Sequence, residues 1–431
     1  MVLNKNTMKQ SIYNITIDKN LNKTLVFNSY SGAVAWIKND YLLEKNSNEW
    51  EVSELKRTGF LVDDDIDEYQ CLSEERRKTI YECRPEKLKI VIAPTLACNL
   101  SCIYCFEKDG RNLNQTMDPI TWEKMSVFLT NYMSERPSII KLNITWFGGE
   151  PCLCINEIVE FNKKIIPFCN QKHITYEARI VTNGVLLNEH NIKTLYHQCN
   201  VRYAQITVDG DEKSYVALKH ADIQVYQNLL NQIEIASGFF KIDLRINVNN
   251  LNKSGIKQLL SFLLSERGLC GKINVGFAAI REWNGLADIC MADNDYIDFL
   301  TGIYDYIIKN GYEGSFYPKR PLKKAIPCGL MREHNFCIDP QGIIYRCEHL
   351  LGQEQWKIGD IEKGMEMNNI NKEFLDFQPM DQCRSCSIFP VCAGGCPAEK
   401  LLYGNPPQRC SYMLQYVKAQ VKFAVQAKER K

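Results

Sequence analysis

The chain has 431 residues, 45% apolar and 24% charged, long enough for two or three domains at roughly 100 to 200 residues each. That balance excludes a disordered chain. The opening MVLNKNTMKQSIYN has no apolar core, and no later stretch approaches the roughly 18 apolar residues a membrane-spanning helix needs. A formal charge of +1 with no long basic run gives no basis for a nucleic acid or an anionic membrane as partner, so a cytoplasmic protein that binds neither is expected.

Residues 12–37 read as strand, turn, strand and the start of a helix. YNITI alternates, DKNLN turns, KTLVFN is extended, and SYSGAVAWI is expected to open a helix on a Ser cap. SELKRTGFLVDDDIDEY predicts a short helix and an extended wing, running into an acidic, solvated stretch up to a linker around Pro85. A first boundary is expected there, setting off residues 1–85 as a separate module.

From residue 88 apolar strand patterns alternate with amphipathic helices. The strands are KIVIA (89–93), LNITWF (142–147), ARIVT (178–182), AQITV (204–208), DLRINV (243–248) and INVGF (273–277). Between them, Met125, Phe128, Leu129 and Tyr132 keep helical spacing behind an Asp118-Pro119 start. Further helices are expected over 155–166, 188–197, 224–236 and 253–265. Such alternation predicts an α/β fold with a parallel sheet and right-handed crossovers. Six repeats are too few for a closed eight-stranded barrel, so an open, partial (β/α)6 barrel over 86–290 is expected, with its site at the C-terminal ends of the strands. The alternation stops over 291–325, a bridging stretch. From Cys328 onward the chain is turn-rich with little core-forming periodicity, and metal is expected to substitute for a core there.

The chain holds 19 cysteines, and a reducing compartment does not favour disulfides, so metal ligation is the first expectation. Ten of them cluster. Cys98, Cys102 and Cys105 form a CxxxCxxC just after the first barrel strand, where three thiolates on a four-iron cluster would leave one iron free to bind a small molecule and pass it an electron. Cys328, Gly342 and Cys347 follow, then Cys383, Cys386, Cys392 and Cys396 in a CxxCx5CxxxC, and finally Cys410. A zinc ribbon would set two CxxC knuckles roughly 15 to 20 residues apart, which this spacing does not do. Cysteines 71, 83, 152, 154, 169, 199, 270 and 290 lack mutual ligand spacing and are expected as core or incidental residues, with packing the reading for Cys152 and Cys154.

At APTLACNLSCIYCF the chain resembles the radical S-adenosylmethionine enzymes, whose loop carries an aromatic, here Tyr104, near the adenine. Three strand ends agree with that resemblance. Gly148-Gly149-Glu150-Pro151 matches the segment that binds the methionine amino group, with glycines for backbone approach and Glu150 for charge. Thr182-Asn183-Gly184 lies where the family contacts the ribose and carboxylate region, and Arg245 in LRINV resembles the residue that pairs with the methionine carboxylate.

Residues 326–431 resemble the SPASM domain, which carries two auxiliary four-iron clusters in radical enzymes that modify peptides. By that resemblance Cys383, Cys386, Cys392 and Cys410 hold a distal cluster, while Cys328, Cys347 and Cys396 hold a proximal one that lacks a fourth ligand. Cys337, in NFCIDPQG, could supply it, yet packing on a hairpin strand is the reading expected there. Residues 10–66 resemble the winged-helix leader-recognition module of enzymes that tailor ribosomally made peptides, in which an extended leader adds a strand to a sheet edge.

Together the resemblances imply S-adenosylmethionine, three four-iron, four-sulfur clusters and a leader-bearing, cysteine-containing precursor peptide as partner. A flavodoxin- or ferredoxin-type protein would supply electrons. The expected outcome is a thioether between cysteine sulfur and carbon. Formylglycine formation of the anaerobic sulfatase-maturase kind, with Glu348 as acidic base beside Cys347, and carbon-carbon crosslinking are the alternatives. A noncatalytic leader-binding or electron-transfer protein would leave Glu150, Asn183 and Arg245 without a role.

Overall fold

A computed structural model of the chain describes residues 8–39, 49–82, 86–108, 112, 114–280, 288–316, 321–404 and 408–429. Cys83 and the linker expected around Pro85 lie outside them. Six parallel strands, β6 (Lys87–Ile92), β7 (Lys141–Trp146), β8 (Thr175–Thr182), β9 (Val201–Thr207), β10 (Lys241–Val248) and β11 (Ile273–Ala279), lie side by side in chain order. Each crossover returns next to the strand it left, the arrangement expected of a partial barrel. Ile92, Trp146, Ile180, Ala204, Ile242 and Ile273 pair across all six strands in one row, every one of them buried.

A parallel sheet covered on both faces reads as continuous apolar runs. These strands alternate instead. The apolar set lies under the helices α3 (Pro119–Ser134), α4 (Ile155–Gln171), α5 (Glu189–Gln198), α7 (Ile223–Ser237) and α8 (Ile256–Ser261). Asn143, Thr145, Arg179, Gln205, Thr207, Arg245 and Asn247 occupy the other parity and keep solvent access. The alternation therefore marks a polar interior. The expected start of α3 holds: the Asp118 side chain accepts from Thr121 N at 2.7 Å, with Pro119 in the first turn. A short helix, α6 (Glu212–Lys219), follows β9 and has no counterpart among the expected elements.

The cysteine-rich segment continues this sheet. β12 (Asn335–Ile338) pairs with β6 in parallel, and β13 (Ile343–Tyr345), β14 (Gly359–Asp360) and β15 (Gly364–Met365) extend it antiparallel to ten strands. The stretch over 291–325 contains α9 (Asp293–Lys309), which buries Tyr296, Leu300, Ile303 and Ile307 in the barrel core. The expectation of little core beyond Cys328 is corrected. Helices α10 (Asn369–Leu375), α11 (Phe389–Cys392), α12 (Pro397–Tyr403) and the 22-residue α13 (Gln408–Glu429) follow, and α13 buries Val417, Val421, Phe423 and Ala427. The apolar positions of α13 are diluted by Lys and Gln, which hid its periodicity; it is held by tertiary contact with α9, through Tyr304 stacked on Phe423, and with the amino-terminal module.

In that module β2 (Asn14–Lys19), β3 (Lys23–Asn28) and β4 (Val34–Lys38) form an antiparallel meander, and β1 (Met8–Gln10) pairs with β5 (Leu61–Asp63). The helix expected from SYSGAVAWI is a strand, β4. The Asn28 Oδ1 accepts from Tyr30 N and Ser31 N and turns the chain back, and the Val, Trp and Ile that follow suit a pleated edge better than a helix. α1 (Glu49–Arg57) precedes β5. The acidic stretch expected to be solvated contains α2 (Glu68–Arg77), capped by Asp67 onto Gln70 N at 2.9 Å.

Candidate active site

The loop after β6 carries Cys98, Cys102 and Cys105 at the C-terminal ends of the parallel strands. It is clamped from both sides. On one side Gly149 N and Glu150 N donate to Thr95 O and Ala97 O at 3.1 and 2.9 Å. On the other, Ser101 N and Ile103 N donate to Lys219 O and Leu218 O at the end of α6. A Cβ on Gly148 would lie 2.3 Å from Thr95 O, and one on Gly149 2.2 Å from Ala97 O. The glycines let two backbone loops touch.

Glu150, expected to present charge to a cofactor, is wholly buried instead. Its Oε1 accepts from Cys152 N at 3.0 Å and Thr182 Oγ1 at 2.7 Å, and its Oε2 from Asn183 N at 2.8 Å. Burial raises its pKa, and those donors oppose the rise. Glu150 and Thr182 thus lock the ends of β7 and β8 together and turn Asn183 toward the mouth. The Asn183 amide donates to Asn99 Oδ1 at 2.7 Å and lies 3.6 Å from Cys98 Sγ. Cys152, buried 3.7 Å from Thr182 Oγ1, packs as expected.

Tyr104 is held by residues that the sequence reading missed. Its hydroxyl bonds the Asp209 carboxylate and accepts from Lys219 Nζ at 2.5 Å, while Lys219 pairs with Asp209 at 2.8 Å. Both charges are removed from solvent, at 3% and 0% side-chain exposure. Burial works against the Lys219 ammonium, but Asp209 holds it charged; burial, then Asp209, raises the Tyr104 pKa well above its ordinary value. Asp209 also accepts from Asn247 N at 2.7 Å, and Arg245 Nε donates to Asn247 Oδ1 at 2.9 Å, which brings Arg245 to the same mouth. A signal was present: Asp209-Gly210 closes the fourth strand as Gly148-Gly149 and Asn183-Gly184 close the second and third.

No protein-family model matches the chain. It is 24% identical over 335 residues to the cysteine-type anaerobic sulfatase-maturating enzyme of Clostridium perfringens, covering 72% of this chain and 88% of that relative. Native anSMEcpe with bound AdoMet and Cp18Cys peptide superposes with a TM-score of 0.59 at 18% identity, over 80% of this chain and 100% of that one. Streptococcus suis SuiB bound to precursor peptide SuiA superposes with a TM-score of 0.52 at 17% identity, over 90% and 95%. The chain is a radical S-adenosylmethionine maturase of the SPASM type. It is an enzyme; its sulfatase-maturating relatives act on peptide or protein substrates.

In this maturase the later cysteines fall into two groups. Cys383, Cys386, Cys392 and Cys410 lie within electrostatic reach of one another. Cys328, Cys347 and Cys396 form a second set, with Glu348 beside it, half-buried in a turn after β13. Phe106, next to Cys105, meets His349 ring to ring at 4.5 Å, so the trio loop and the second set adjoin. Among the described residues no three His, Cys, Asp or Glu side chains converge on one metal ion. Groups of thiols with no histidine among them are the donor type that iron-sulfur clusters take.

The amino-terminal module packs on the first of these groups. Tyr13, Leu72 and Phe389 bury Cys383, and Ile15, Phe27, Ile388 and Val391 flank Cys386 and Cys392. Arg76, buried, donates to Ala393 O at 3.1 Å and to Phe377 O. No helix among the described residues is long and apolar enough to cross a membrane.

Proposed function

We propose that the maturase oxidises a cysteine-bearing, ribosomally made precursor peptide by two electrons, with a thioether between cysteine sulfur and carbon as product. In this reading Cys98, Cys102 and Cys105 hold one four-iron, four-sulfur cluster; Cys328, Cys347 and Cys396 hold a proximal auxiliary cluster; and Cys383, Cys386, Cys392 and Cys410 hold a distal one. Bound there, the first cluster and S-adenosylmethionine would supply radical chemistry for hydrogen-atom abstraction from the substrate. The chain's own residues orient and exclude. Tyr104, braced by Lys219 and Asp209, would hold the adenine; Asn183 and Arg245 would bind the ribose and carboxylate; Gly148 and Gly149 would admit the methionine end. Glu150 and Thr182 act through these residues, as positioning groups.

One observation carries the reading: the thiol trio sits at a polar barrel mouth, a second thiol group follows the hairpin of the same sheet and adjoins the trio loop through Phe106 and His349, and a third gathers in the helical segment beyond it. A substrate oxidised by two electrons needs somewhere to send the second one, and the auxiliary groups provide it. The relatives solved with peptides, Cp18Cys and SuiA, support a peptide substrate. The amino-terminal meander offers β4 as an edge with Trp36 exposed, fitting a leader added as a strand. A cytoplasmic location with a flavodoxin- or ferredoxin-type donor completes the reading.

Formylglycine formation is the second reading. It is favoured by Glu348 beside Cys347 and by the likeness to a cysteine-type anaerobic sulfatase-maturating enzyme. The test is anaerobic. Protein reconstituted with iron and sulfide should hold about twelve irons per chain and, with reductant, release 5'-deoxyadenosine. A cysteine peptide that loses two hydrogens and no longer alkylates at its thiol after reduction indicates the thioether, and one that exchanges its thiol for an aldehyde indicates formylglycine. Failure of the fully loaded protein to cleave S-adenosylmethionine overturns both.

A further inference from the structure

The spacing of the cysteines leaves the proximal group one thiol short, and the fold brings another to it. On the hairpin of β12 and β13, Cys337 pairs directly with Tyr345. Side chains two apart on a strand share a face, so Cys347, two residues past Tyr345, follows the face of Cys337, diagonally across the hairpin. Its neighbours go the other way: Phe336 and Ile338 point into the core under α3. Cys337 is instead enclosed with Ala93, Leu96, Tyr345, Cys347, Leu350 and Ala398.

That pocket gathers the other ligand segments too. Ala398 stands two residues after Cys396, which caps α12, and Leu330, packed against the same pocket, stands two residues after Cys328. Cys328 and Cys347 lie within electrostatic reach of Cys337, as Cys328 and Cys396 do of Cys347. We propose that Cys337 is the fourth protein ligand of the proximal cluster, joining Cys328, Cys347 and Cys396. The set is four soft donors from four segments, the complement a four-iron cluster takes when every iron is held by protein. A closed proximal cluster has no iron for a substrate thiol, so its part in the two-electron oxidation is to take up the second electron and not to bind the substrate.

The inference rests on the proximal cluster proposed above, so its test separates the two. Protein carrying Cys98→Ala, Cys102→Ala and Cys105→Ala, reconstituted anaerobically, isolates the auxiliary sites and should hold about eight irons per chain. An iron lacking a cysteine is lost on mild ferricyanide oxidation, leaving a three-iron cluster with its own EPR signal. The trio-free protein should show almost none. Adding Cys337→Ala should raise the signal to about one spin per chain. A full signal without the Cys337 change, or none with it at undiminished iron, means that Cys337 is not a ligand and leaves the two-cluster reading standing. About four irons in the trio-free protein would overturn both.

Discussion

Gly149→Ala tests whether the fit between two loops governs the reactivity of the cysteine trio. The backbone at Gly149 is not in the left-handed region, so the cost of a side chain there is purely steric. Its Cβ would sit 2.2 Å from Ala97 O and 2.4 Å from Leu96 O, both backbone atoms on the segment leading into Cys98. Restoring ordinary contact requires that segment to retreat by about 1 Å. It cannot retreat freely, because Ser101 and Ile103 are tied to the end of α6. A displacement of that size between reacting groups costs about a hundredfold in rate. The assay is 5'-deoxyadenosine release at saturating reductant, with iron per chain measured on the same samples. Gly302→Ala is the control: nothing lies within 4 Å of its Cβ, and it falls inside α9, where alanine is the better helix former. Gly149→Ala protein with full iron and a rate within about twofold of wild type would refute the reasoning.

Three further outcomes follow from the same structure. Lys219→Met strands a fully buried Asp209 carboxylate and should destabilise the holoenzyme by about 3 kcal/mol, and adding Asp209→Asn should recover much of that in denaturant unfolding; a double variant no better than the single one would count against the pair. Arg76→Ala leaves two carbonyls on the cysteine-rich segment without their donor, at about 1 to 3 kcal/mol each, so hydrogen exchange should rise together in α2 and around Phe377 and Ala393; unchanged protection would show that the contact holds nothing. His334, bonded to the Tyr132 hydroxyl at 2.6 Å, has its pKa lowered by burial. The folded state therefore binds fewer protons than the unfolded one, and stability present above about pH 6.5 should decline as the solution is acidified through that value. His334→Gln should flatten that acid slope in thermal unfolding, and an identical slope would exclude His334 as its source.

The barrel was legible because its strands have one buried face each. Alternation such as Leu142, Ile144 and Trp146 is visible without any partner, and it placed all six strands to within about three residues. The thiol trio was legible for a similar reason: a cluster held from one loop leaves its spacing in one short run of chain. Elements whose stability comes from elsewhere were not legible. SYSGAVAWI reads as a helix until β3 is beside it, and α13 shows little amphipathic pattern until α9 and the amino-terminal module cover it.

At the site, the sequence by itself determined which loops meet: Gly148-Gly149, Asn183-Gly184 and the CxxxCxxC are local signals of close backbone approach and of soft ligands. Only the tertiary structure decided what the side chains there do. Glu150 turned inward to bind Thr182 and Asn183, and Lys219, more than a hundred residues from Tyr104, closed on it with Asp209. It also decided that Cys337 lies with Cys347 and not beneath α3, since strand parity has meaning only once the hairpin register is set. Buried polar partners must be found across the fold because burial leaves them no water, and such pairings leave no mark in the spacing along the chain.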